Sequence, residues 1–149
     1  MLIKRAMLTG AAAAIAVIFP LTASPACAAG SRDTLHVDTA WGEATGYYTW
    51  TSPWSISPLK LHLQDQKSDG HSVGVRVITN SHNRGVTYWT MHKVTGGYLS
   101  SDGWDTYVKF EDHDNMSSAR MQMCLLEKDE ILSCGEDVSK NPGNWDNNS

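Results

Sequence analysis

Leu59-Lys60-Leu61-His62-Leu63-Gln64, a turn at Lys67-Ser68-Asp69-Gly70, and then Val73-Gly74-Val75-Arg76-Val77 decide the fold class of this chain. Leucine alternates with polar residues, and valine then does the same. Each half therefore carries one apolar face at the two-residue period of a β-strand. The polar, glycine-containing turn separates two such strands.

The pattern continues outward in both directions. Val86 to Lys93 reads as one strand, with Trp89 and Met91 on one face and Tyr88, Thr90 and His92 on the other. Trp104, Val108 and Phe110 share a face opposite Tyr107 and Lys109. Met121, Met123 and Leu125 alternate with Arg120 and Gln122. Thr34–Asp38 and Thr45–Trp50 add two earlier strands. About eight short strands at intervals of about ten residues, joined by polar turns, predict an all-β, single-domain antiparallel β-sandwich.

The ends differ from this middle. Lys4 and Arg5, an Ala-rich apolar run from Ala6 to Phe19, and Ala26-Cys27-Ala28 have the layout of a secretory signal peptide over 1–28. The apolar run is too short to span about 30 Å of hydrocarbon. Lipidation of Cys27 would call for an aliphatic residue three positions earlier, where Ser24 stands. The reading places a flexible mature N-terminus at 29–33, the sandwich at 34–136, and an irregular tail at 137–149, with Trp145 able to pin that tail to the domain.

The chain has 12 Lys+Arg and 16 Asp+Glu. Two of the basic residues and none of the acidic ones lie in 1–28, so the mature chain carries ten against sixteen, a net charge of −6. That sign argues against nucleic acid as a partner, because phosphate binding needs a basic surface. It also argues against adhesion to anionic lipid, and no membrane insertion is expected after the signal is cut.

Cys124 and Cys134 remain in the mature chain, and an exported pair of thiols normally closes. Folding 125–133 about Asp129 sets the two cysteines opposite each other, within disulfide range. Both fall on the face of Arg120 and Gln122. Either the bridge lies on the outer face beside Leu126 and Leu132, or a bulge switches the register.

Chemistry-bearing residues are few. His36, His62, His71, His82, His92 and His113 belong to no HExxH, GxSxG or Cys-His arrangement, and His62 and His92 are read as outward-facing. Glu111-Asp112-His113-Asp114-Asn115 is the densest acidic run, but it lacks the EF-hand pattern and reads as a polar turn; cation binding there stays open. Neither a cofactor site nor a metal-ligand spacing is legible. Paired carboxylates brought together across sheets would leave no trace in spacing.

The aromatic segment carries the functional signal. Trp41, Tyr47, Tyr48, Trp50 and Trp54 crowd into fourteen residues. Tyr47 and Tyr48 must point opposite ways on a strand, so one face there shows rings to solvent. These five are the candidate partner- or sugar-binding residues. A mostly buried cluster with one or two half-exposed rings is the plainer alternative.

Gly85-Val86-Thr87-Tyr88-Trp89-Thr90-Met91-His92-Lys93, the run Gly103-Trp104-Asp105-Thr106-Tyr107 and the Cys124…Cys134 hairpin resemble small secreted actinobacterial β-sandwich proteins. Within that group the chain resembles the adaptor subunit of umbrella toxin particles, where a small exported β protein joins a lectin subunit to a long toxin subunit. The resemblance implies a non-enzymatic adaptor with a flexible N-terminus reaching into the lectin's cleft, and it carries over no site residues. The expected function is thus an exported protein-binding module of a secreted assembly. A carbohydrate-binding module is the alternative. A secreted hydrolase, or a hydrolase inhibitor presenting Asn80–Gly85, is a further one. A planar row of exposed rings would favour sugar; rings dispersed around a cleft near the N-terminal arm, or an edge strand, would favour a protein partner.

The secreted form should begin at Ala29, as read by mass spectrometry of culture supernatant. A lipid-modified Cys27 at the N-terminus would contradict the signal-peptide reading.

Overall fold

The computed structural model describes residues 30–140; residues 1–29, with the expected signal segment, and residues 141–149, with Trp145, lie outside the described residues. Two antiparallel sheets pack face to face, as the alternation predicts. The first sheet contains β1 (Ser31–Thr39), β2 (Gly42–Ser52), β3 (Ser55–Asp65) and β7 (Ser101–Lys109), in the order β1-β2-β3-β7. The second contains β4 (Ser72–Ser81), β5 (Gly85–Tyr88), β6 (His92–Val94), β8 (Met116–Glu127) and β9 (Glu130–Lys140). Its order is β5-β4-β8-β9, with β6 also on β4.

The core forms where the two alternating faces meet. Leu59, Leu61 and Leu63 of β3 and Val73, Val75 and Val77 of β4 are buried, opposite Met121 and Met123 of β8. On β2 the even-numbered residues face inward: Gly42, Ala44, Gly46, Tyr48 and Trp50. The small half is required by close approach. A Cβ on Gly46 would stand 3.1 Å from Met121 Sδ, and one on Gly42 would stand 2.8 Å from the Gln64 carbonyl. The large half fills the other end of the core, where Tyr48 and Trp50 meet edge-on with centroids 6.2 Å apart.

One-residue insertions adjust the plan. The run read as a single strand, Val86–Lys93, is two. Ile78 pairs with Tyr88 and Val75 with His92, so three residues of this strand face two of β4. The bulge turns Met91 outward over Gly74 and brings His92 to the inner side, correcting the outward placement of His92. A second insertion lies at Ser57–Pro58 in β3, where the peptide bond is cis. Pro58 has no N–H for a ladder, and the bulge is what lets it sit in an interior strand.

The disulfide joins Cys124 and Cys134, which face each other directly with Cα atoms 4.1 Å apart. Of the two sequence alternatives, the outer face is the one realised. A bulge does occur, but at Leu132 on β9, between the β8–β9 turn and the bridge, so the inward and outward faces of β8 are unchanged. Cys124 is nevertheless fully buried, beside Gly74 where Met91 and Leu126 close over the sheet.

The ends correct the domain boundaries. Residues 31–33, read as a flexible terminus, are the start of β1 and pair with Trp50, Thr49 and Tyr48. Residues 137–140, read as irregular tail, continue β9 alongside β8. Polar residues at both ends masked strands whose partners lie far away in sequence.

Replacing Cys124 and Cys134 together by Ser should lower stability by about 2–3 kcal/mol without abolishing the fold, because the closed loop is short. Denaturant titration checks this; an unchanged midpoint would contradict it.

Candidate functional site

The two long sides of the sandwich are closed differently. On one side β1 and β9, the edge strands of their sheets, lie against each other and are stapled by carboxylates. Asp137 Oδ2 accepts the His36 N–H at 2.9 Å, while its Oδ1 accepts the Val138 N–H at 2.8 Å. Asp33 Oδ1 accepts the Thr34 N–H, and its Oδ2 accepts from the Tyr48 and Ser139 hydroxyls. Burial, helped by the neighbouring Asp33 charge, pushes the Tyr48 hydroxyl far above its ordinary value, so it remains a donor. A Cβ on Gly135 would stand 3.0 Å from a Val37 methyl and 3.1 Å from that of Thr39, tighter than ordinary contact, so glycine there eases the approach of the two strands.

The opposite side is open. Between β7 and the β5–β6 strand lies a cleft of about 100 Å³. Leu59, Leu61, Val77 and Val108 form its floor, and Trp89 and His92 form its wall. His92 stacks on Trp104 at 4.9 Å, and burial holds its imidazole below the ordinary value. The Trp89 indole is fixed by its N–H bond to Thr79 Oγ1 at 3.0 Å and by Phe110, 5.6 Å away. Exposed rings rim this side: Tyr88 on β5, Tyr98 in the β6–β7 loop and Tyr107 on β7. Tyr88 is held by the Arg76 guanidinium 4.5 Å from its centroid. Leu99, next to Tyr98, is exposed with φ of 64°, and its N–H is anchored to the Asp65 carbonyl at 2.8 Å.

The five aromatic candidates do not come together as a surface. Trp50 is 1% exposed and Tyr48 3%, because both follow the inward face of β2. Trp41 and Trp54 are half-buried against the core. Tyr47 alone is exposed, at 55%, on the outer face of the first sheet. It borders a depression of about 390 Å³ lined also by Arg32, Thr34, Thr49, Pro58 and Lys60. The depression lies where the Pro58 bulge leaves Thr49 without a partner on β3. Sequence reasoning missed the rim rings Tyr88, Tyr98 and Tyr107. Their signal was present for Tyr107, an outward aromatic on a strand, but which strand is an edge is decided by long-range pairing.

The acidic run is occupied by protein donors. Asp114 accepts from the Asn83 N–H and Nδ2 and from the Arg84 N–H, bracing the β4–β5 turn. Asp112 takes the Arg84 guanidinium at 2.7 Å and Glu111 takes Lys109 at 2.9 Å. The Asn80–Gly85 turn, the candidate inhibitor loop, is thus tied to the β7–β8 loop through Asp114. Among the described residues no group of three or more His, Cys, Asp or Glu is arranged to hold a metal ion.

No family model matches the chain, and neither a curated protein nor a solved structure is significantly similar to it.

Burial alone would raise the Asp114 carboxyl, but donors from Asn83, Ser81 and Arg84 outweigh it and hold it below the ordinary value. Its contribution is therefore full above the ordinary pKa of 3.8 and is lost as pH falls through the lower folded value. Asp114→Asn should cost about 1–3 kcal/mol at neutral pH, with the gap narrowing in acid. Urea titrations at neutral pH and in acid decide it; a pH-independent gap would contradict the assignment.

Proposed function

We propose that the chain is an exported, non-enzymatic binding protein, an interaction or adaptor module of a secreted assembly, and that its partner is another protein. The observation supporting this is the distribution of exposed rings. Tyr88 and Tyr107 lie on edge strands of different sheets and Tyr98 on a loop, so these exposed rings are dispersed around the open side and do not share one sheet face. Rings on a rigid rim serve as anchors that fill pockets on a partner, while a polysaccharide platform needs coplanar rings in line. The Cys124–Cys134 bridge is compatible with an oxidising compartment. The assembly suggested by the sequence resemblance is the umbrella toxin particle, with this chain as adaptor.

Because β1 is an integral strand, deleting 29–39 would remove a sheet edge, so the surface is tested by point substitutions. Tagged protein returned to culture supernatant should retain its protein partner. Tyr88→Ala, Tyr98→Ala and Tyr107→Ala combined should weaken retention by about tenfold or more, with the circular dichroism spectrum unchanged. Tyr47→Ala should leave it intact. Undiminished retention by the triple variant would refute the open-side reading. Retention on polysaccharide that falls with Tyr47→Ala would favour the carbohydrate-binding alternative.

A further inference from the structure

The free edge of β7 has a definite polarity. The flanking bonds, Phe110 N–H to the Trp54 carbonyl and Asp65 N–H to the Ser100 carbonyl, direct the backbone groups of even-numbered β7 residues toward β3. Gly103, Asp105 and Tyr107 consequently direct theirs away from the sheet, where no strand pairs with them among the described residues. The Gly103 N–H is capped by the Asp102 carboxylate at 2.8 Å; among the described residues no carboxylate caps Asp105 or Tyr107 in this way. On the sealed side the equivalent groups of Thr34 and His36 are both capped by carboxylates.

Three features coincide at this edge. Unpaired backbone groups point outward from Asp105 and Tyr107. The cleft opens beneath them, with room for one branched aliphatic side chain over Leu59, Leu61 and Val77. On the outer face the edge presents the Asp105 carboxylate, which is 78% exposed and only loosely paired with Lys60 at 3.5 Å, and the exposed Tyr107 ring. A carboxylate beside a tyrosine face favours a cation.

Building on the protein-binding reading above, we infer that the partner contributes an extended strand that adds to β7, with an apolar side chain in the cleft and Lys or Arg against Asp105 and Tyr107. Strand addition supplies affinity through main-chain hydrogen bonds, and the alternating side chains supply selection. Charge complementarity decides between candidate strands: on the outer face an acidic side chain would meet the Asp105 carboxylate, while the cation of the same strand, Lys109, is already paired with Glu111.

The probe is a synthetic peptide, Thr-Lys-Val-Lys-Leu-Lys-Val-Thr, titrated into the mature protein and followed by amide chemical shifts. The Asp105 and Tyr107 amides and the Trp89 indole should shift together. The version with Glu for Lys should bind about tenfold more weakly or worse. Asp105→Pro and Asp105→Ala both remove the carboxylate, but only Pro removes the outward N–H, and the ladder to β3 does not use it. The Pro variant should bind about tenfold more weakly than the Ala variant. Should Asp105→Pro fail to fold, N-methylation of the peptide's edge-facing amides replaces it and should abolish binding. Equal binding of the Glu peptide, indifference to N-methylation, or no shift at millimolar peptide would each overturn the inference. So would dimerisation of the protein itself through β7, lost in Asp105→Pro. Those results leave the protein-binding proposal standing if the tyrosine variants still lose the partner, so the two fail separately.

Discussion

The structure depends on one constraint: two edge strands, β1 and β9, must lie side by side without becoming a single sheet. Their outward N–H groups would otherwise stay unpaired or recruit another chain. Asp33 and Asp137 resolve this by accepting the N–H groups of Thr34, His36 and Val138. The same Asp33 binds the Tyr48 and Ser139 hydroxyls, so the ring that fills one end of the core is tied to the seam. Gly135 eases the close approach that these bonds need.

Sealing one side fixes the character of the other. On the side of β7 and the β5–β6 strand a cleft remains between the two sheets. The bulge between Tyr88 and His92 places Trp89 and His92 along that cleft and sends Met91 to the opposite face, where it covers Gly74 beside the disulfide. A single inserted residue thus furnishes the cleft wall and protects Cys124. In the middle of the second sheet's outer face the polar side chains satisfy one another: Arg76 donates to Gln122, and Gln122 and Arg120 both donate to Glu136.

Much of the fold was legible because it rests on local alternation. The Leu and Val runs of β3 and β4, the Met face of β8 and the Cys124–Cys134 pairing all follow from a period of two. What escaped was non-local. Ser31–Asp33 looks like a polar terminus, yet pairing with β2 makes it strand. His92 looks outward-facing until one extra residue inverts it. Trp50 looks available as a ring, but an unbroken even-numbered register carries it inward with Tyr48. The binding surface escaped for a related reason. Whether Tyr107 sits on an interior strand or an edge depends on sheet order, which composition and spacing do not encode.

Amide hydrogen exchange in the free, monomeric protein tests the one-sided closure most directly. His36 and Val138 should exchange about tenfold or more slowly relative to their intrinsic rates than Asp105 and Tyr107, whose N–H groups face solvent at an unpaired edge. Equal protection of all four, or slower exchange at Asp105 and Tyr107, would contradict the account of a sealed side and an open one.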